Sequence, residues 1–457
     1  MTRRSLLRTA GGAIALGTVG APALAKARPS RDRLEAALAR IADPQGEGRR
    51  TCLTLYADSA RMAADAADVR ARDGRTLSPL DGAIVSIKDL FDVAGEPTRA
   101  GSTILADAPP AVADALVVQR LRRAGAVIIA KTNMVEFAFS GVGLNPHYGT
   151  PGNPADRTRV SGGSTSGGGV AVADGMCAIA IGTDTGGSCR IPAALCGVVG
   201  YKPSKARVPT QGAFPLSITL DSIGPIARSV AVCAQADAVL AGEAAWTLKP
   251  ASLRGVRFGI PQGLPLDGLD PTVSARFAEA LASLGRAAAL LSDEAFPAFD
   301  AMARVNMPVP LSSVEAFAVH RDRIVTHAGD FDPLVLARIE AGRRVSGDAY
   351  RQMLADRAAL VRAMDDRLSG LDVLVLPTTP IVAPTLAEVA TPDGFAARNR
   401  LLLRNTAIGN FFDLCAISLP LPRRGGLPVG LMLMARNGQD RRLFAIAAAV
   451  ERLLSVE

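Results

Sequence analysis

Between residues 160 and 192 the chain reads VSGGSTSGGG and, after an apolar run, GTDTGGSCRIP. Glycines at this density restrict a fold strongly, because they serve tight turns and places where one backbone passes close to another. Two serines, Ser164 and Ser188, sit 24 residues apart in separate glycine-rich loops. Upstream, the apolar run 83–87 ends at Lys88. A serine is a poor nucleophile until something takes its proton. Glycine-flanked serines also lie where backbone N–H groups can be aimed at a developing oxyanion. Two such serines and one lysine in apolar surroundings point to acyl-transfer chemistry that needs no histidine.

Hydrophobic periodicity supplies the frame around these loops. Leu34, Ala37, Leu38 and Ile41 repeat with helical spacing, and a second Ala-rich amphipathic stretch covers 56–69. Residues 82–87 read as a strand that ends at Lys88, and 127–130 as a second buried strand. Residues 113–124 read as a helix closed by Gly125, and 141–153 as loop. After the first glycine loop a helix is expected from Val170, then a strand over 177–181. A helical turn over 191–195 follows, with Pro192 suited to its first positions. The Ala- and Arg-rich region 230–361 reads as mostly helical. Strands at 372–376, 415–419 and 430–434 and a helix over 442–454 finish the pattern. Strands alternating with helices argue for an α/β core with a partly parallel sheet. No internal repeat or linker interrupts it, so one domain over 31–457 is expected.

At 49% apolar and 21% charged residues, the 457-residue chain has the balance of a soluble globular protein. Arg3, Arg4 and Arg8 precede a Gly/Ala-rich run over 9–21, Pro22 and then Ala23-Leu24-Ala25. Residues 1–25 therefore resemble a twin-arginine signal peptide, an address read by the export machinery and then cleaved. That implies a periplasmic or secreted protein. The apolar run is short and glycine-rich for a membrane span, and no cysteine follows the cleavage site, so no stable membrane anchor is expected. Removing the leader takes its three arginines from the formal +8 and leaves +5. With no basic run interleaved with aromatics, nucleic acid is not an expected partner. Cys52, Cys177, Cys189, Cys196, Cys233 and Cys415 are scattered, and His147, His320 and His327 form no ligand cluster. No metal is expected.

Familiar templates fail on what is written. Residues 162–169 contain no lysine for a P-loop, and Gly141-Val142-Gly143 is followed by Leu144-Asn145-Pro146 rather than completing a dinucleotide fingerprint. Ser164 and Ser188 both lack the G-x-S-x-G elbow, and none of the six lysines has a serine three residues before it. The order that remains resembles the amidase signature family. Gly162-Gly163-Ser164-Thr165-Ser166-Gly167 and the stretch from Gly182 to Pro192 match its core motif, and Gly82 to Asp89 its lysine motif. Further matching stretches are Lys131-Thr132-Asn133, residues 145–150, 197–203, 224–228 and 426–431, so the likeness runs from about residue 31 onward. Ser161, where a proline often stands, and Cys189, in place of an aliphatic residue, are the departures.

This resemblance implies a single large α/β domain, a mixed twisted sheet flanked by helices on both faces. It implies amide hydrolysis without a cofactor: Ser188 as nucleophile, Ser164 after a cis peptide from Gly163 as relay, and neutral Lys88 as base. A free lysine titrates near 10.4, and burial is what would lower it. The backbone N–H groups of Thr185, Gly186, Gly187 and Ser188 are the implied oxyanion hole. Asp184 and Arg190 are expected to brace the nucleophile loop as an ion pair, with His147 structural. Ala138, Ser140 and Gly141 fall in the segment that lines the acyl pocket in relatives. The expected partner is a small-molecule amide, with a homodimer left open. Two other readings stand beside this one: the amidase subunit of a tRNA-dependent amidotransferase, and an inactive binding protein that keeps the fold.

Overall fold

The computed structural model describes residues 28–422 and 425–455. The leader expected over 1–25 lies outside the described residues. In chain order the strands are β1 Cys52–Leu55, β2 Ile84–Lys88, β3 Val127–Thr132, β4 Gly152–Asn153, β5 Asp156–Val160, β6 Ile179–Thr183, β7 Val199–Lys202, β8 Ile223–Ala227, β9 Arg257–Pro261, β10 Leu290–Glu294, β11 Val373–Pro377, β12 Cys415–Pro420 and β13 Gly430–Ala435. Eleven of them form one mixed sheet in the order β1-β3-β2-β6-β8-β7-β12-β13-β11-β9-β10, and β4 with β5 makes a small ribbon. β2 runs parallel to both β3 and β6, and β9 to both β10 and β11; the other neighbours are antiparallel.

Side chains alternate along a strand, and here the alternation feeds two cores. Val85, Ile87, Ile179 and Ile181 join a cluster with Val117, Val230 and Leu443 from the helices Leu116–Arg123, Val230–Ala241 and Asp440–Ser455. Ile84 and Ala180 join another with Leu34, Ala64 and Val170 from the helices Ser30–Ala42, Ala57–Arg72 and Ser166–Ala173. The sheet is thus covered on both faces. Counting by twos from Ile84, Lys88 turns toward the second face, where the first glycine loop enters its helix.

That helix begins at Ser166, not at Val170 as the apolar pattern predicts. Gly167, Gly168 and Gly169 are helical, although each glycine inside a helix costs about 1 kcal/mol against alanine. Their smallness explains the exchange: a Cβ on Gly167 would stand 2.7 Å from Asn133 N and Thr51 O, and one on Gly169 3.0 Å from Pro192 Cβ. The helix is pressed against the end of β3 and against its neighbour Arg190–Cys196 too closely for side chains. The region expected to be helical over 230–361 also carries β9 and β10, and β1 follows a short helix Gly48–Thr51 that the periodicity does not mark.

Candidate active site

Lys88 ends β2, the parallel partner of β6, which delivers the second glycine loop. Its side chain is fully buried. Its Nζ donates to Ser164 Oγ and to Thr183 Oγ1, both at 2.8 Å. Burial lowers the ammonium to about 8, against the opposing pull of the Asp221 and Asp184 carboxylates. Ser164 is itself buried, the Gly163–Ser164 peptide is cis, and the Ser164 carbonyl accepts from Val135 N at 3.0 Å. Two of the three residues singled out for chemistry therefore touch directly.

Ser188 lies in the loop alongside, where its carbonyl accepts from Thr165 N at 3.3 Å. Its hydroxyl has no hydrogen-bond partner among the described residues, and no bond joins it to Ser164. Ser188 is 4% exposed, against none for Ser164 and Lys88, so it is the outermost of the three. The N–H groups of Thr185, Gly186, Gly187 and Ser188 find no acceptor among the described residues. Buried backbone N–H groups are nearly always paired, and here four consecutive donors without a protein acceptor stand beside a free hydroxyl. Gly187 has φ +136°, and a Cβ there would lie 2.2 Å from Thr406 Oγ1. Only glycine fits that turn.

Side chains brace the loop from behind. Arg190 Nη2 and Nε donate to the two oxygens of Asp184 at 2.8 and 3.0 Å, with both residues fully buried. Cys189 N also donates to Asp184, at 3.2 Å. Burial alone would raise the Asp184 carboxyl, but the charge and hydrogen bonds of Arg190 win and hold it at about 2. Cys189, one of the departures, is buried with its Sγ 3.5 Å from the carbonyls of Thr183 and Gly224. The expected ion pair is present. Ser140 and Gly141 are fixed from outside: Asn399 Oδ1 accepts from Gly141 N at 2.8 Å and from Ser140 Oγ at 3.2 Å. Gly141 O in turn accepts from Gly163 N at 2.8 Å, and Ala138 sits at φ +60° in the same buried segment. His147 stands off from the serines, bonded through Nε2 to Glu136 at 2.8 Å.

Several supporting residues escape the sequence pattern. Thr183 shares the Lys88 ammonium, and Thr185 Oγ1 donates to Asp221 at 2.5 Å. Asn410 donates to Asp184 O at 2.8 Å and accepts from Arg190 Nη2 at 2.7 Å; Thr406 donates to Gly186 O at 2.6 Å. The signal for the last two is weak but physical: polar residues in the otherwise apolar helix Thr406–Phe411 require buried partners.

Residues 32–444 match the family model for amidases. This chain belongs to the amidase signature family. The amidase is thus a hydrolase of amide C–N bonds. It is 38% identical to a 2-amino-5-chloromuconic acid deaminase of Comamonas testosteroni, over 86% of each chain. It is 36% identical to a glutamyl-tRNA(Gln) amidotransferase subunit of Anaeromyxobacter sp. (strain K), over 96% of each. A crystal structure of an amidase superposes with a TM-score of 0.83 at 34% identity, over 93% of this chain and 96% of that one.

Proposed function

We propose that this amidase cleaves a small-molecule amide through an acyl-enzyme on Ser188, with Ser164 and Lys88 as its proton relay. The observation that carries this reading is the 2.8 Å contact between a buried lysine and a buried serine, set beside four free backbone N–H donors. In the sequence of events, Ser188 Oγ attacks the carbonyl carbon and passes its proton to Ser164, whose own proton goes to Lys88 Nζ. The carbonyl oxygen, now charged, lies among the N–H groups of residues 185–188. The C–N bond breaks as Lys88, through Ser164, returns the proton to the leaving nitrogen. Water then attacks the ester by the same route and releases a carboxylate. Substrate or a hydroxyl rotation must close the gap between Ser188 and Ser164, as apo sites often leave such contacts loose. The leader, by its twin-arginine pattern, directs this activity outside the cytoplasm. That address favours hydrolysis over the amidotransferase role, which the 36% identity to the Anaeromyxobacter protein would otherwise support.

The relay needs Lys88 neutral, so its titration sets the pH dependence. With the ammonium at about 8, only about a tenth is neutral at pH 7. Reaction of Ser188 with a fluorophosphonate is expected to rise about tenfold per pH unit below 8 and to level above it. Peptide mass spectrometry should find the adduct on Ser188. A flat profile from pH 6 to 9, or an adduct elsewhere, would remove the relay. Gly187→Ala keeps its N–H, but its Cβ would push against Thr406 and turn the loop's donors away from the oxyanion, so kcat is expected to fall by about 10²–10³. Wild-type kcat in that variant would place the oxyanion away from this loop.

A further inference from the structure

A peptide group is planar and, in this loop, trans, so whatever holds its carbonyl also aims the N–H on its other side. Four peptides carry the N–H groups of residues 185–188, and three of them have their carbonyls held. Asp184 O accepts from Ser222 Oγ at 2.7 Å and from Asn410 Nδ2 at 2.8 Å, which aims Thr185 N. Gly186 O accepts from Thr406 Oγ1 at 2.6 Å, which aims Gly187 N. Gly187 O accepts from Ile191 N at 2.7 Å, which aims Ser188 N. Thr185 O accepts no hydrogen bond among the described residues, so nothing of this kind aims Gly186 N. Gly186 cannot hold itself either, since glycine has the freest backbone of any residue.

The side chain before that peptide supplies the hold. Thr185 is buried, and its Oγ1 donates to Asp221 Oδ1 at 2.5 Å. With the preceding carbonyl and its own hydroxyl both bonded, Thr185 fixes the point where the unheld peptide starts. Asp221 is itself anchored, because its Oδ2 accepts from Leu216 N at 3.0 Å and Ser217 N at 3.1 Å. Its loop is moored in turn on the helix Leu311–His327, where Glu315 accepts from Ser217 Oγ, Thr219 N and Thr219 Oγ1. Both Asp221 oxygens only accept, the pattern of an ionised carboxylate. Burial raises this carboxyl, and the bonds from Thr185, Ser217 and Leu216, with the Lys205 ammonium, oppose that rise. The titratable groups that face Lys88 are Cys189, Asp221 and Asp184. Burial pushes the Cys189 thiol up to about 12, so the two carboxylates are the charges there.

We propose that Asp221 is a positioning residue of this amidase, which holds the Thr185 side chain and thereby aims the Gly186 N–H at the oxyanion. It bonds to neither serine and acts through Thr185. A donor aimed before the reaction costs nothing to reorient as charge develops, which is what makes such donors effective. This inference rests on the hydrolase reading above and names what aims one of its donors.

The test follows fluorophosphonate labelling of Ser188 as kinact and KI across pH, since charge develops on the phosphoryl oxygen as fluoride leaves. Thr185→Val removes the hydroxyl at nearly constant volume. Its kinact is expected to fall about 10- to 100-fold, short of the 10²–10³ of a donor lost outright, with KI within about twofold of wild type. The pH midpoint should stay at about 8, because Lys88 and the charges facing it are untouched. Thr185→Ser keeps the hydroxyl and should return kinact to within about threefold of wild type. Asp221→Asn should lower kinact and also move the midpoint below 8, because a charge that favoured the Lys88 ammonium is gone. Wild-type kinact in Thr185→Val would overturn the proposal. A loss carried by KI, a shifted midpoint in Thr185→Val, or a Thr185→Ser no better than Thr185→Val would overturn it too, leaving the contact as a brace of the fold at large. Labelled Ser188 with an unaffected Thr185→Val defeats this inference alone, whereas unlabelled Ser188 in wild-type protein defeats the hydrolase mechanism.

Discussion

Ser188→Ala is expected to lower amide turnover by about 10⁴–10⁶-fold, with unchanged folding and no fluorophosphonate adduct. The expected size follows from what the variant leaves behind. The four N–H donors, Lys88 and Ser164 remain, and a residual 10³–10⁴ over water from donors and binding is usual when a nucleophile is lost. Nothing behind Ser188 relies on its hydroxyl, which bonds to no described residue, so removing it disturbs no packing. Burst kinetics should disappear with the acyl-enzyme. A variant that keeps more than about a hundredth of wild-type turnover would transfer the covalent step to another group, and Ser164 would be the first to examine.

Asp184→Ala is expected to destabilise the fold by about 3–5 kcal/mol, the cost of leaving a buried charge without its partner. Arg190 would then be a fully buried guanidinium held only by Asn410 and the Met432 sulfur. Urea unfolding followed by the single tryptophan, Trp246, reads this directly. A change under about 1 kcal/mol would mean that Arg190 escapes to water and that the loop is braced elsewhere. The same pair sets an acid limit. Because the folded carboxyl is held at about 2, below its ordinary 3.8, its stabilisation is complete above that ordinary value and is lost as pH falls toward 2. Acid stability of wild type and variant should therefore converge at low pH.

The parts of this molecule that were legible in the sequence are those where one residue type can serve only one purpose. β2 and β3 are apolar, β-branched runs and β12 and β13 are apolar ones, and the run 83–87 placed Lys88 at a strand end. The paired glycine loops identified the serines, since few other uses call for such loops so close together. β7 and β8 were obscured by Gly200, Gly224 and Pro225, residues that argue against central strands. Gly224 is there because a Cβ would stand 2.0 Å from Tyr201 O. β10 is an edge strand with mostly exposed or half-exposed side chains, so it carries no hydrophobic signal, and β9 is short and glycine-containing. Asn399, Thr406 and Asn410 were not legible because their purpose is set by atoms more than 200 positions earlier in the chain. Local pattern cannot register a partner at that distance.

The braces from residues 399–410 have a consequence for the order in which this protein comes into being. A ribosome releases both serines long before it reaches Asn410, so a nascent chain carries a nucleophile whose loop still lacks its distant braces. These braces form only after residues 399–410, nearly nine-tenths of the way along the chain, have been made and have packed on the first half. A chain cut before residue 399 would keep both serines and lose the side chains that hold their loops from the far end of the sequence.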